Sequence, residues 1–143
     1  MTAFEAAWAE RERIATRPTE PGLFLVLAPM DGVTDHVYRD LLTSLAGGHS
    51  GISLCVSEFV RVTRDCVQPQ VLRRACPELD HGGRTRAGVE VFVQLLGGEP
   101  GPMAESAALA ARLGARGIDI NFGCPAKTVN DHDGGASILR APC

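Results

Sequence analysis

The sequence is poor in lysine and in aromatic residues, and it has no long hydrophobic run. Only one of its 143 residues is a lysine, Lys127, against thirteen arginines, and Phe, Trp and Tyr together make up 5%. The longest apolar run, LFLVLAPM at 23–30, is far shorter than the about 20 residues that a membrane helix needs. The sequence therefore predicts a protein without a membrane-spanning segment.

The first 22 residues lack the features of a targeting sequence. They mix Glu with Arg and contain no continuous apolar core, so they resemble neither a secretory signal nor a transit peptide. Two prolines and a glycine at 16–22 would end any short helix there. We predict a polar N-terminal extension over 1–22, a folded domain over 23–143, and a cytoplasmic protein.

Paired cysteines are missing as well. The five cysteines form no CxxC pair, and no histidine lies near them at zinc-ligand spacing. We therefore expect Cys55 and Cys76 to be buried, reduced thiols.

The net charge of −3 argues mildly against a strong nucleic-acid binder, although six arginines between residues 61 and 86 make one segment locally basic.

The sequence does contain a regular alternation of apolar strands with helices. Strands are predicted at 23–30, 52–59, 89–97 and 117–121, and helices at 35–45, near 69–75 and at 101–117. The first strand shows no polar alternation, which is typical of a strand buried on both faces of a parallel sheet. The first helix carries its apolar residues on one face, namely Val37, Leu41, Leu42 and Leu45. This order predicts a parallel α/β sheet with right-handed crossovers.

Each predicted strand is followed by residues that are unusual for a simple turn. They are Pro29, Met30 and Asp31 after the first strand, Glu58 and Gln94 at the ends of the second and third, and Asn121 and Cys124 after the fourth. Barrels and open α/β sheets both place their chemistry at these carboxyl ends. A buried Gln94 amide needs partners, which either the backbone or a flat heteroaromatic cofactor could supply. A lone cysteine such as Cys124 is usually buried, but Gly123 and Pro125 on either side favour a specialised turn from which the side chain can point into a cleft.

Four motifs, in this order and spacing, resemble the tRNA-dihydrouridine synthase family. They are LAPMDGVTD (27–35), SEFVRV (57–62), VQLLG (93–97) and DINFGCPAKTV (119–129). SEFVRV and RACPEL resemble most closely the C-type bacterial branch, which is associated with position 16 in the D-loop of tRNA. The resemblance covers residues 23–142. It implies an FMN-dependent enzyme with NADPH as reductant, and a (β/α)8 TIM barrel of which this chain provides the N-terminal half, about four βα units.

The same resemblance implies roles for the matching residues. Pro29, Met30 and Asp31 would line the FMN, and Gln94 would hydrogen-bond to its ring. Cys124 would be the general acid: reduced flavin gives a hydride to C6 of the uracil, and the thiol gives a proton to C5. A proton donor has to keep its proton, as ordinary cysteine thiols do at neutral pH.

The resemblance further implies that Asn121 lies beside the target uracil and that Arg61 contacts tRNA. Lys127 would either bind a phosphate or anchor its loop. The resemblance also implies that the family's later strands and its helical tRNA-binding domain are missing here, so that the chain is either a truncated product or awaits a complementing C-terminal half. Two other functions stay open: a flavin enzyme acting on free dihydropyrimidines or dihydroorotate, and a non-catalytic half-barrel that self-associates through its open sheet edges.

Overall fold

The computed structural model describes residues 24–45, 51–126 and 134–140. The predicted extension over 1–22 and the loop residue Lys127 lie outside these ranges. Within the described ranges, no helix is long and apolar enough to cross a membrane.

Within the part of the chain that the structure describes, five short parallel strands form one sheet. They are β1 (Leu25–Leu27), β2 (Ile52–Val56), β3 (Val60–Arg61), β4 (Glu90–Leu96) and β5 (Ile118–Ile120). β4 is central: β2 and β3 pair with successive parts of one edge, β5 pairs with the other edge, and β1 pairs with β2. The strands therefore follow chain order across the sheet, as in half of a (β/α)8 TIM barrel, and the predicted fold class is confirmed.

In the described ranges, three α-helices connect the strands. They are α1 (His36–Ser44), α2 (Pro69–Ala75) and α3 (Pro100–Arg112), with 3-10 turns at Pro77–His81 and Gly135–Arg140. Asp35 caps α1, because its carboxylate accepts a hydrogen bond from the Tyr38 N–H at 2.8 Å. The three helices predicted from the sequence are thus confirmed, with ends that differ by a few residues.

The strand predicted at 52–59 is interrupted at Ser57. The Ser57 N–H still donates to the Phe92 carbonyl at 2.8 Å, but its side-chain Oγ accepts from the Gln94 N–H at 3.1 Å. A side-chain oxygen thus takes the place of a backbone carbonyl in the ladder. The chain bends there and continues as β3 along the same edge of β4.

The hydrophobic core lies between the sheet and helices α2 and α3. Alternate residues of β4, from Val91 to Leu95, pack there with Leu72 of α2 and Ala110 of α3. Because side chains alternate along a strand, Gln94 lies on the opposite face of β4. In a (β/α)8 barrel that opposite face is the inner one, since the helices lie outside.

The two cysteines predicted to be buried thiols both belong to this core. Cys55 and Cys76 are 0% exposed and form no disulfide. Burial raises the pKa of Cys55 to about 11 and that of Cys76 to about 12, because a thiolate there would lose its hydration. The prediction is confirmed, and both thiols keep their protons at neutral pH.

The predicted burial of the first strand on both faces is wrong. Leu25 and Val26 are 41% and 45% exposed. The reason is that β1 is an edge strand, since among the described strands it pairs only with β2. Leu27 still packs against the core, but Leu25 and Val26 are left uncovered by the described part of the chain.

The apolar face of α1 exists as predicted, but it points outward. Val37 and Leu41 are 60% and 54% exposed, whereas Arg39 and Thr43 of the same helix are fully buried. The buried arginine is paired with Glu78. This pair turns the polar side of α1 toward the rest of the domain and leaves the apolar side uncovered in the described part of the chain.

Candidate active site at the carboxyl ends of the strands

The loop from β1 to α1 holds the three residues predicted to line a cofactor. Pro29 is half-buried, while Met30 is 60% exposed and Asp31 is exposed. The Met30 N–H donates to Thr34 Oγ1 at 2.7 Å, and the Met30 carbonyl accepts from the Thr34 N–H at 3.0 Å. The loop therefore closes on its own backbone and presents the Met30 and Asp31 side chains at its surface.

Two contacts fix this loop to neighbouring elements. Gly32, with a φ of 75° that favours glycine, donates its N–H to Glu58 Oε1 at 2.6 Å. The guanidinium of Arg39 donates to the Thr34 carbonyl at 2.8 Å and makes two further bonds of 2.8 Å to the Glu78 carboxylate. Glu58, two residues after β2, and the buried pair of Arg39 and Glu78 together fix the position of the β1–α1 loop.

Gln94 lies at the centre of a hydrogen-bonded chain of side chains. The residue is 6% exposed, and its register partner on β5 is Asp119. Gln94 Nε2 donates to Asp119 Oδ2 at 2.7 Å, and Gln94 Oε1 accepts from Asn121 Nδ2 at 3.0 Å. The predicted site residues Gln94 and Asn121 are thus brought into direct contact, and Asp119 joins them.

Asn121 in turn holds the loop that carries the cysteine. Asn121 Oδ1 accepts hydrogen bonds from the Gly123 N–H at 3.0 Å and from the Cys124 N–H at 2.9 Å. Cys124 is half-buried and its thiol is free. The Cys124 carbonyl accepts from the Ala136 N–H at 3.3 Å, which ties this loop to the last described segment. Asn121 and the backbone of the Cys124 turn therefore form one local unit.

The hydrogen-bonding capacity left over at this site suits a planar heterocycle. Within the described residues, Gln94 keeps one N–H and one lone pair of Oε1 unused, and Asn121 keeps one N–H. Adjacent donor and acceptor groups match the edge of a pyrimidine-type ring, which itself alternates donors and acceptors. The exposed Met30 and the 43% exposed Phe122 add apolar surface at the same ends of the strands. The residues present fit a flavin ring.

Of the two basic residues expected at the tRNA, the described ranges include only one. Arg61 belongs to β3 and its side chain is exposed, while Lys127 lies outside the described residues. Among the described residues, three arginines of the basic segment form ion pairs, namely Arg73 with Asp80, Arg84 with Glu90 and Arg86 with Asp40. Much of the positive charge between residues 61 and 86 is therefore balanced by neighbouring carboxylates.

The sequence analysis did not identify Asp119 as part of the site. An acid between two isoleucines in a predicted strand is a usable signal, because a charged side chain there must face a polar partner. The buried pair of Arg39 and Glu78 was also missed, and no short-range pattern points to it, since its members are 39 residues apart. The described ranges contain no group of three or more His, Cys, Asp or Glu side chains that could hold a metal ion.

The fold and the site together define a class of protein, the α/β proteins whose polar site residues lie at the carboxyl ends of parallel strands. Comparison with protein families then narrows this class. The family model described as "Dihydrouridine synthase (Dus)" matches residues 26–143, which is most of the chain. The chain belongs to the dihydrouridine synthase family.

Curated relatives carry a more specific name. The tRNA-dihydrouridine(16) synthase of Vibrio parahaemolyticus is 54% identical over 118 residues, which are 82% of this chain and 35% of that protein. Proteins with the same name from Ralstonia nicotianae and Salmonella typhimurium are 52% and 47% identical over the same number of residues. The chain spans about a third of the length of the curated relatives it matches.

Proposed function

We propose that the chain supplies the N-terminal half of the catalytic barrel of a tRNA-dihydrouridine synthase. The proposed reaction is the reduction of a D-loop uridine of tRNA, at position 16, to 5,6-dihydrouridine. The observation that carries this proposal is the hydrogen-bonded chain from Gln94 through Asn121 to the Cys124 turn, because it joins a heterocycle-binding amide to a proton-donating thiol. The names of the curated relatives support the choice of substrate and position.

The cofactor in this proposal is FMN, and NADPH is the reductant. The family is flavin-dependent in general, and the unused N–H and lone pair of Gln94 suit the ring edge. Pro29, Met30 and Asp31 would line the cofactor through the β1–α1 loop. When bound and reduced, FMN supplies the hydride that C6 of the uracil accepts.

The chain's own residues bind the base and protonate it. The remaining N–H of Asn121 can donate to a uracil carbonyl, which orients the base next to the turn at 123–124. The Cys124 thiol then gives its proton to C5, and water returns a proton to the thiolate. Arg61 and Lys127 would contact the phosphates of the tRNA, whose target uridine has to leave its stack to reach the site.

A chimeric enzyme tests the proposal in a complete barrel. Residues 26–143 of this chain replace the matching segment of the Vibrio parahaemolyticus relative, to which they are 54% identical. The chimera is incubated with FMN, NADPH and a tRNA transcript, and dihydrouridine is located by mass spectrometry of nuclease fragments. We expect dihydrouridine at position 16.

The Cys124→Ala variant of the chimera should keep its flavin and lose at least about 99% of the activity, because general acids contribute roughly 100-fold or more. Cys66→Ala is the matched control, since Cys66 is also half-buried and free. Wild-type rates in the Cys124→Ala chimera would remove this thiol from the mechanism.

The family match favours this function over the oxidation or reduction of free dihydropyrimidines or dihydroorotate. A specific observation supports association as a second property of the isolated chain. Apolar residues are 41–45% exposed at both edges of the sheet, Leu25 and Val26 on β1 and Ile120 at the end of β5, with Phe122 just beyond. Either a complementing C-terminal half or a second copy of the chain could cover these edges.

A further inference from the structure

Asp119 is the one charged side chain in the hydrogen-bonded chain of the candidate active site. Its Oδ2 lies 2.7 Å from Gln94 Nε2, and the two residues face each other as register partners on β5 and β4. The sequence analysis gave it no role. Asp119 stands at one end of this series of hydrogen bonds. Its chemistry limits which atom of each following side chain can donate and which can accept.

The direction follows from the chemistry of a carboxylate. An ionised carboxylate can only accept hydrogen bonds, so Gln94 has to present its Nε2 group to Asp119 and its Oε1 to the other side. Oε1 therefore meets the Nδ2 group of Asn121. That contact leaves Asn121 Oδ1 as the acceptor for the N–H groups of Gly123 and Cys124.

A primary amide in place of Asp119 would not impose this direction. It could donate to Gln94 Oε1, which would turn the Gln94 amide around and place its Nε2 group against Asn121. Asn121 would then have to turn as well, and its Nδ2 group would face the two backbone N–H groups of the turn. Donors would oppose donors, and the turn would lose both of its side-chain hydrogen bonds.

We infer that Asp119 is a positioning residue: its carboxylate fixes the orientation of the Gln94 amide and, through Asn121, holds the turn that carries Cys124. The inference deepens the proposed function, on which it depends for the role of the thiol. The orientation itself can be measured on the 143-residue chain without flavin or tRNA, so the two proposals can fail separately.

Hydrogen exchange of single backbone amides tests the inference. In Asp119→Asn, the N–H groups of Gly123 and Cys124 should exchange at least about tenfold faster than in the wild type, measured by heteronuclear NMR. Two ladder amides serve as internal references, Asn121 N–H to Leu95 O and Val93 N–H to Gly117 O, both at 3.0 Å. Their exchange should stay unchanged, because the backbone pairing of β4 and β5 does not depend on the side chain at 119.

A double variant tests the direction of the bonds. With Gln94→Glu added to Asp119→Asn, the new amide at 119 can donate to one oxygen at 94, and the other oxygen can accept from Asn121 Nδ2. The turn should then regain its protection to within about threefold of the wild type. Asp80→Asn, a loss of the same charge at an exposed ion pair with Arg73, should leave the turn unchanged.

Three results would overturn the inference. The first is wild-type exchange at Gly123 and Cys124 in Asp119→Asn. The second is an equal increase at the ladder amides, which would show general destabilisation. The third is a double variant whose turn exchanges as fast as in Asp119→Asn.

Discussion

Arg39 on α1 and Glu78 on the turn after α2 form a buried ion pair with two hydrogen bonds of 2.8 Å between guanidinium and carboxylate. The arginine side chain is 0% exposed and that of the glutamate 8%. The same guanidinium also donates to the Thr34 carbonyl of the β1–α1 loop. The Arg39 side chain therefore links helix α1 to the turn after α2 and to the β1–α1 loop of the candidate active site.

We predict that Arg39→Met destabilises the chain by about 3–5 kcal/mol, because it leaves the Glu78 carboxylate buried without its partner. Urea unfolding followed by circular dichroism measures the change in the free energy of unfolding. The double variant Arg39→Met, Glu78→Leu should recover most of the loss, since no unpaired charge stays behind. A single variant within about 0.5 kcal/mol of the wild type would contradict the prediction.

We predict that the buried thiols of Cys55 and Cys76 make the free energy of unfolding fall at alkaline pH. Burial raises the pKa of Cys55 to about 11 and that of Cys76 to about 12, whereas a cysteine in the unfolded chain has a pKa of roughly 8.5. Above that value the unfolded chain loses these protons and the folded chain keeps them. The free energy of unfolding should therefore fall as the pH rises, by up to about 1.4 kcal/mol per pH unit for each thiol.

The comparison of variants isolates this effect from other groups that titrate at alkaline pH. Unfolding free energies are measured by urea titration at several values between pH 8 and about 10.5. Cys76→Ala should show a shallower decline than the wild type, whereas Cys66→Ala, at a half-buried position, serves as the reference. Parallel pH profiles for all three proteins would show that the buried thiols do not contribute.

The order of strands and helices could be predicted from the sequence because each element leaves a local pattern. The apolar run of β4 and the Asp35 cap of α1 are such patterns, and both appear in the structure. The gathering of Gln94, Asn121 and Cys124 also follows from topology, since parallel strands bring their carboxyl ends to one edge.

The remaining features depend on contacts between distant residues. The break in the second strand arises because Ser57 Oγ accepts a ladder hydrogen bond from Gln94, 37 residues away. The outward face of α1 results from the pairing of Arg39 with Glu78, which helical periodicity does not encode. Asp119 likewise acquires its role only when β5 pairs with β4 in a register that sets it opposite Gln94.

The side-chain amide of Gln94 should determine how well flavin is held. In the chimera described above, Gln94→Ala removes the N–H and the lone pair of Gln94 that have no partner among the described residues. We expect the flavin retained after gel filtration to fall about tenfold, as the loss of a buried hydrogen-bonding group costs roughly 1–3 kcal/mol. Gln70→Ala, at an exposed position of α2, is the control. Equal flavin content in both variants would rule out the contact assigned to Gln94.

The exposed edges of the sheet predict that the isolated chain self-associates. Val26 on β1 is 45% exposed and Ile120 on β5 is 44% exposed, and unpaired strand edges with apolar side chains favour pairing with another chain. Sedimentation velocity should show a weight-average coefficient that rises with protein concentration. Val26→Lys combined with Ile120→Lys should reduce this rise, because charges on edge strands oppose pairing.

Val71→Lys separates the effect of the edges from that of general surface hydrophobicity. Val71 is 47% exposed, as much as the two edge residues, but it lies on helix α2 rather than on a strand. If association occurs through the sheet edges, Val71→Lys should associate as the wild type does. Equal suppression by the helix variant, or a monomer at all concentrations, would show that the open edges do not drive assembly, and a complementing half-barrel would then be the partner to seek.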